Sequence, residues 1–105
     1  LHYCIMKICC AVEVGKVRPA AIVSDTDLNK ILDLIIVVAL TTNLIDNVEP
    51  LHIRITKRDT LKKESDFMVE QIRVVAKDRI YEKIATLTIK EVAKVDYGLK
   101  MILGL

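Results

Sequence analysis

Tryptophan is absent from this chain, and the aromatic residues Phe and Tyr together make up only 4% of it. An interior of stacked rings is therefore excluded. The core has to come from Ile, Val and Leu, whose β-branched members favour strands. Hydrophobic residues reach 52%, yet the longest apolar run, residues 34–40, is far too short to cross a bilayer as a helix. With 3 glycines and 2 prolines the chain has no Gly-rich phosphate loop, no Pro-rich linker and no low-complexity segment. No internal repeat is visible. A length of 105 residues reads as one domain, 1–105, able to bury a core without metals or disulfides.

The cysteines are Cys4, Cys9 and Cys10. An odd count with two adjacent members does not make a secreted disulfide framework. No C-x-x-C is present, and His2 and His52 do not complete a zinc-ligand spacing with them. They read as buried thiols of a strand. Asp25 and Asp27 are spaced as a possible metal pair but sit where a helix begins. No metal and no cofactor is expected. Residues 1–10 are apolar in flavour but lack the charged start and cleavage site of a signal peptide, so the expected location is the cytoplasm, with no membrane partner. The net charge of +2 neither demands nor excludes a nucleic acid. Lys57, Arg58, Lys62 and Lys63 cluster around one stretch, which fits a solvated loop as well as an RNA-tracking patch.

Several elements are legible. Residues 2–12 form a first strand of mixed quality, and residues 20–23 a short buried one entered through Pro19. The run Ser24-Asp25-Thr26-Asp27 starts a short helix over 26–32. Residues 34–40 are apolar throughout and predict a central strand; 42–49 is loop. Residues 51–56 alternate strictly, with Leu51, Ile53 and Ile55 on one face and His52, Arg54 and Thr56 on the other. A charged loop covers 57–65, a strand or bent pair of strands 67–75, and a turn 77–79. Thr88 and Glu91 form a capping box, with Leu87 and Val92 as its hydrophobic staple. Ile89, Val92, Val95, Leu99 and Ile102 follow at helical spacing, and Gly98 inside this helix suits close packing on the sheet. Five or so strands with few helices suggest a small curled antiparallel barrel.

The chemistry lies at strand ends. Arg18 stands in Gly15-Lys16-Val17-Arg18-Pro19, Thr41 in Ala39-Leu40-Thr41-Thr42, and Gln71 and Arg73 in Glu70-Gln71-Ile72-Arg73. An arginine matches a phosphate with a planar, permanently charged fork, and a threonine adds a neutral donor. Each also has a bland reading: a surface arginine at a strand start, a threonine satisfying a turn, a glutamine and arginine sharing a strand face in structural hydrogen bonds.

The order and wording of these runs resemble the MazF/PemK/Kid family of toxin endoribonucleases. The match also includes Pro50-Leu51-His52, Leu61-Lys62-Lys63-Glu64-Ser65 and Lys77-Asp78-Arg79-Ile80, then the helix ending Ile102-Leu103-Gly104-Leu105. It covers about residues 13–105; residues 1–12 are atypical, lacking the family's Gly-Asp opening and Asp-x-x-Pro segment. The resemblance implies a mainly β fold with α: a small SH3-like antiparallel barrel of the CcdB/PemK toxin type, a short helix after the second strand and a C-terminal helix. It implies the toxin of a type II toxin–antitoxin pair, a homodimer that cleaves single-stranded RNA sequence-specifically and without metal by attack of the ribose 2′-hydroxyl.

Its partners would be that RNA and an antitoxin with an acidic, disordered segment. Carried over position by position, Arg18 and Thr41 are the catalytic pair, with Thr42 as the neighbouring alternative. Glu13, as far before Arg18 as the family's acidic residue, is a base or an orienting group, although Ala11-Val12-Glu13-Val14 departs from the usual Gly-x-Glu-Gln. Lys16, Gln71, Arg73 and Lys57 are RNA contacts. His52 and Ser65 match as structural positions; His52 is also an alternative catalytic acid, one without a charged relay partner near it in sequence. Competing readings are a non-enzymatic gyrase poison of the CcdB kind, acting through the end of the last helix, and a degenerate member that only binds an antitoxin.

Overall fold

The structure, a computed structural model, describes residues 4–9 and 17–105. Its elements are β1 (Cys4–Cys9), β2 (Val17–Ile22), α1 (Thr26–Ile31), β3 (Leu34–Thr41), β4 (His52–Ile55), β5 (Ser65–Ala76), β6 (Ile80–Thr86) and α2 (Ile89–Leu103), with a 3-10 turn at Lys77–Arg79. The strands form one six-stranded sheet in the order β4-β5-β3-β2-β1-β6, antiparallel at every pairing. The expected architecture of mainly β with a short helix after the second strand and a C-terminal helix is present. The sheet, however, is not closed: β4 and β6 are its edges. The loop after β4 reaches across the gap, where Thr60 donates to the Ile84 carbonyl through its N–H at 3.4 Å and its hydroxyl at 2.8 Å.

β3 is interior, between β5 and β2, and both its faces are used. Val38 and Leu40 join the larger core with Ile5, Ile53, Ile55, Phe67 and Val69. Ile35 and Val37 join a smaller one with Ala20, Ile22 and Val75. Burial on two faces is why the strand reads as unbroken apolar sequence. Its first half departs from this, since Leu34 is 52% exposed. Cys4 is a free thiol packed on the smaller core. His2 and Cys10 lie outside the described residues.

α2 covers the larger core through Val92, Val95 and Leu99. The Thr88–Glu91 capping box is formed, with Thr88 N–H to Glu91 Oε1 at 2.9 Å and Glu91 N–H to Thr88 Oγ1 at 3.2 Å. Gly104, in the left-handed region at φ 71°, ends the helix. Ile89 belongs to the apolar pattern but is 90% exposed, because it precedes the point where the helix meets the sheet. Gly98 is buried, and a Cβ there would lie 2.5 Å from the Pro50 carbonyl oxygen. The close approach anticipated for this glycine is to the loop before β4 as well as to Val69 of β5.

β6 is the element the sequence reading missed. Ile80-Tyr81-Glu82-Lys83 places polar and exposed groups where a half-buried strand would show strict alternation. As an edge strand it needs burial only at its far end, at Ile84 and Ala85.

Candidate functional site

Arg18 is exposed near the start of β2, opposite Ile8 of β1. Pro19 after it confines its backbone to the extended region, so the direction in which the guanidinium leaves the strand is set locally. On the other side of β2 the register with β3 pairs Ala20 with Ala39 and Ile22 with Val37. Continued two residues past Ala20, that register sets Arg18 opposite Thr41. Directly opposed residues of antiparallel strands point to the same face. Thr41 ends β3 half-buried, and its Oγ1 accepts the Asn43 N–H at 3.1 Å. The turn-satisfying role is thus real, and it uses the oxygen as acceptor, which leaves the hydroxyl proton to be donated outward.

Gln71 and Arg73 lie on β5 with Arg73 opposite Val37. Since Val37 and Thr41 share a parity along β3, this pair is on the same face as Thr41. The two side chains meet each other, Arg73 Nη2 donating to Gln71 Oε1 at 3.0 Å. Lys57 is exposed in the loop after β4. Glu13 and Lys16 lie outside the described residues. The structure therefore brings Arg18, Thr41, Gln71 and Arg73 to one face, while Lys57 projects from a separate loop.

Two hydrogen-bonded side-chain groups on this face, one around Arg54 and one at His52, have no counterpart in the sequence reading. A register shift in the β3–β5 ladder sets Thr41 opposite Asp66, and Asp66 opposite Arg54 of β4. Arg54 donates from Nε to Asp66 Oδ1 at 2.8 Å and from Nη2 to Oδ2 at 3.2 Å, and reaches Asp46 Oδ1 at 2.7 Å through Nη1. Asp66, only 1% exposed, also accepts the Ile45 N–H at 3.2 Å. The pair thereby ties the loop that follows Thr41 to the sheet. The hydrogen bonds from Arg54 hold the Asp66 carboxyl below the usual aspartate range against the opposing effect of burial, and Arg54 is raised by the same contact. His52 Nε2 lies 2.7 Å from Glu70 Oε1, so the charged partner that its sequence neighbourhood lacks is supplied by β5. Alternation in residues 51–56 signals that His52 and Arg54 face away from the larger core; no local signal names partners so distant in the chain.

Beyond the rim where β2 begins and β3 ends is a groove of about 630 Å³. Its walls include Pro19 and Thr42, the sequence neighbours of Arg18 and Thr41, with Lys62, Lys63, Ser65 and Tyr81. Among the described residues, no group of three or more His, Cys, Asp or Glu side chains could hold a metal ion.

Residues 9–103 match the family model described as PemK-like, MazF-like toxin of type II toxin-antitoxin system. An endoribonuclease MazF of Staphylococcus epidermidis is 36% identical over 94 residues, which is 89% of this chain and 78% of the relative. Among solved structures, an endoribonuclease in complex with its cognate antitoxin from a mycobacterial species superposes with a TM-score of 0.82 at 22% identity, over 100% of this chain and 95% of that one. A MazE–MazF structure from Deinococcus radiodurans gives 0.82 at 17% identity, over 99% and 94%. At these identities the two structures speak for the fold alone.

Proposed function

The chain belongs to the PemK-like, MazF-like toxin family of type II toxin–antitoxin systems, and on that premise we propose that it is a metal-independent endoribonuclease that cleaves single-stranded RNA at particular sequences. The observation that supports the reading is the β2–β3 register, which, continued two residues past the Ala20–Ala39 pair, sets the exposed Arg18 opposite the half-buried Thr41. In the proposed reaction the ribose 2′-oxygen attacks phosphorus and the bond to the 5′-oxygen breaks. The products are a 2′,3′-cyclic phosphate and a 5′-hydroxyl end. Arg18 clamps the phosphate, stabilises the charge that builds on its oxygens and supplies the proton that the leaving 5′-oxygen takes up, and Thr41 donates a hydrogen bond to the same phosphate. Glu13 takes the 2′-hydroxyl proton or orients Arg18. Gln71, Arg73, Lys16 and Lys57 contact the RNA beyond the scissile link.

The partner set follows from the same reading. A second copy of the chain would cover apolar side chains left in water, among them Leu28, Ile31, Leu34 and Val74. An acidic, disordered antitoxin segment would lie over the RNA groove and compete with the substrate. The site of action is the cytoplasm, where the RNA is; no helix is long and apolar enough to cross a membrane among the described residues.

A helix-end poison of the CcdB kind has one observation in its favour. Met101, Leu103 and Leu105, at the end of α2, are all exposed. Incubating the protein with a long single-stranded RNA in EDTA separates the readings. Cleavage that Arg18→Ala removes supports the nuclease; an inert protein favours the poison or a member that only binds its antitoxin.

A further inference from the structure

Tyr81 is 60% exposed, although it lines the groove beside the rim. The groove's other apolar walls are Pro19 and the buried Leu61 and Ile84. Lys62 and Lys63 are exposed at its edge, and Glu82, itself engaged within the protein, also lines it. Two of the hydroxyl protons in this groove are already committed: Thr60 Oγ1 donates to the Ile84 carbonyl at 2.8 Å, and Ser65 Oγ to the Lys63 carbonyl at 3.0 Å. What these oxygens have left to offer is lone pairs. A volume of about 630 Å³ is in the range that holds a small organic ligand.

We infer that this groove is a base-binding subsite in which Tyr81 stacks one unpaired nucleobase and the Thr60 and Ser65 oxygens accept from its exocyclic amino group. The inference rests on the reading of the chain as an RNA-cleaving enzyme and adds a residue that sets base preference. Every base offers a flat face to a ring, so stacking supplies affinity. Adenine and cytosine present an amino donor where uracil presents a carbonyl acceptor. At the Thr60 and Ser65 oxygens a uracil carbonyl would meet lone pairs that have no proton to give. Lys62 and Lys63 stand where the charge of the adjoining phosphates falls. Successive strand residues alternate in direction, so Arg18 and Thr41 stand on one side of the rim while Pro19 and Thr42 line the groove on the other. A strand of RNA crossing that rim sets a phosphate at Arg18 and a flanking base against Tyr81.

The absence of tryptophan from the chain allows a direct test. Tyr81→Trp places a lone indole at the proposed floor, and single-stranded oligo(dC) and oligo(dU), which lack the 2′-nucleophile, serve as uncleavable probes. The indole emission is expected to be quenched on binding. Oligo(dC), which presents an amino group at position 4 and an unprotonated N3 where oligo(dU) presents a carbonyl and an N3–H, is expected to bind the wild type more tightly. Tyr81→Ala should weaken oligo(dC) binding roughly five- to a hundredfold, while Tyr81→Phe, which keeps the ring, should bind as the wild type does. Thermal melting of each variant confirms that the fold is intact. Unchanged binding by Tyr81→Ala, or equal affinity for the two oligomers, overturns the subsite while leaving the nuclease reading in place if RNA is still cut in EDTA. A wild-type protein that binds neither oligomer and cuts no RNA overturns both.

Discussion

Thr41 and Asp66 are direct cross-strand partners on β3 and β5. The residue proposed to donate a hydrogen bond to the scissile phosphate is therefore seated against a buried carboxylate whose charge is taken up by Arg54. The same carboxylate holds the Ile45 N–H, and so fixes the loop that leaves Thr41.

Asp66→Asn keeps the shape of this residue and removes its charge. Hydrogen bonds to a charged partner contribute on the order of 2 kcal/mol each, and a loss of about that size is expected in the unfolding free energy. Amide exchange at Ile45 should accelerate more than exchange at Val38 in the core. Equal acceleration at both would mean that the carboxylate supports the whole sheet rather than this loop.

Acid should destabilise the fold through two carboxylates. Arg54 holds Asp66 below its ordinary range. At Glu91 burial pushes the pKa up, but the Arg58 side chain and the Thr88 cap outweigh it and the net direction is down. A carboxylate depressed in the folded state contributes stability that is fully present above its unfolded pKa, about 4 for these groups. That contribution is lost as pH falls through the folded value. Melting temperature should thus be insensitive to these groups near neutrality and fall below about pH 4. Glu91→Gln should flatten part of this fall, and a profile unchanged by it would show that Arg58 does not hold the charge.

Gly98→Ala should destabilise the protein even though alanine is the better helix former by about 1 kcal/mol. The added Cβ would stand 2.5 Å from the Pro50 carbonyl oxygen and 3.1 Å from Val69 Cγ2. The first is backbone and cannot swing aside, so a net loss of roughly 1–3 kcal/mol is expected by chemical denaturation. A gain in stability would show that the loop before β4 yields freely.

Thr88→Ala removes the hydroxyl half of the capping box on α2. The expected loss is about 1 kcal/mol, read by urea unfolding. Thr88→Ser should recover most of it, since the acceptor oxygen returns.

What could be read from the sequence was whatever has a local cause. The Thr88–Glu91 cap, the helix start at Asp25 and the alternation around Ile53 and Ile55 are all set by neighbours within a few residues. β6 was missed because an edge strand does not have to alternate, and Tyr81, Glu82 and Lys83 are all exposed. The Arg54–Asp66 and His52–Glu70 pairs depend on which strands adjoin and in what register, and no local pattern encodes that. For the candidate site, Arg18, Thr41, Gln71 and Arg73 were named from motif order, and the structure adds their common face. Glu13 and Lys16 lie outside the described residues.

The most direct measurement is single-turnover cleavage of a single-stranded RNA in EDTA by wild type, Arg18→Ala, Arg18→Lys and Thr41→Val, with thermal melting of each. Arg18 is exposed, so its replacement should leave the melting temperature nearly unchanged. Losing a charged donor to the transition state should raise the barrier by on the order of 3 kcal/mol, about a hundredfold in rate. Arg18→Lys should fail nearly as badly, since a point charge does not reproduce the guanidinium fork, and Thr41→Val should show a smaller, clear loss. If folded Arg18→Ala cuts RNA at the wild-type rate, Arg18 is not the phosphate clamp and the proposed active site is wrong.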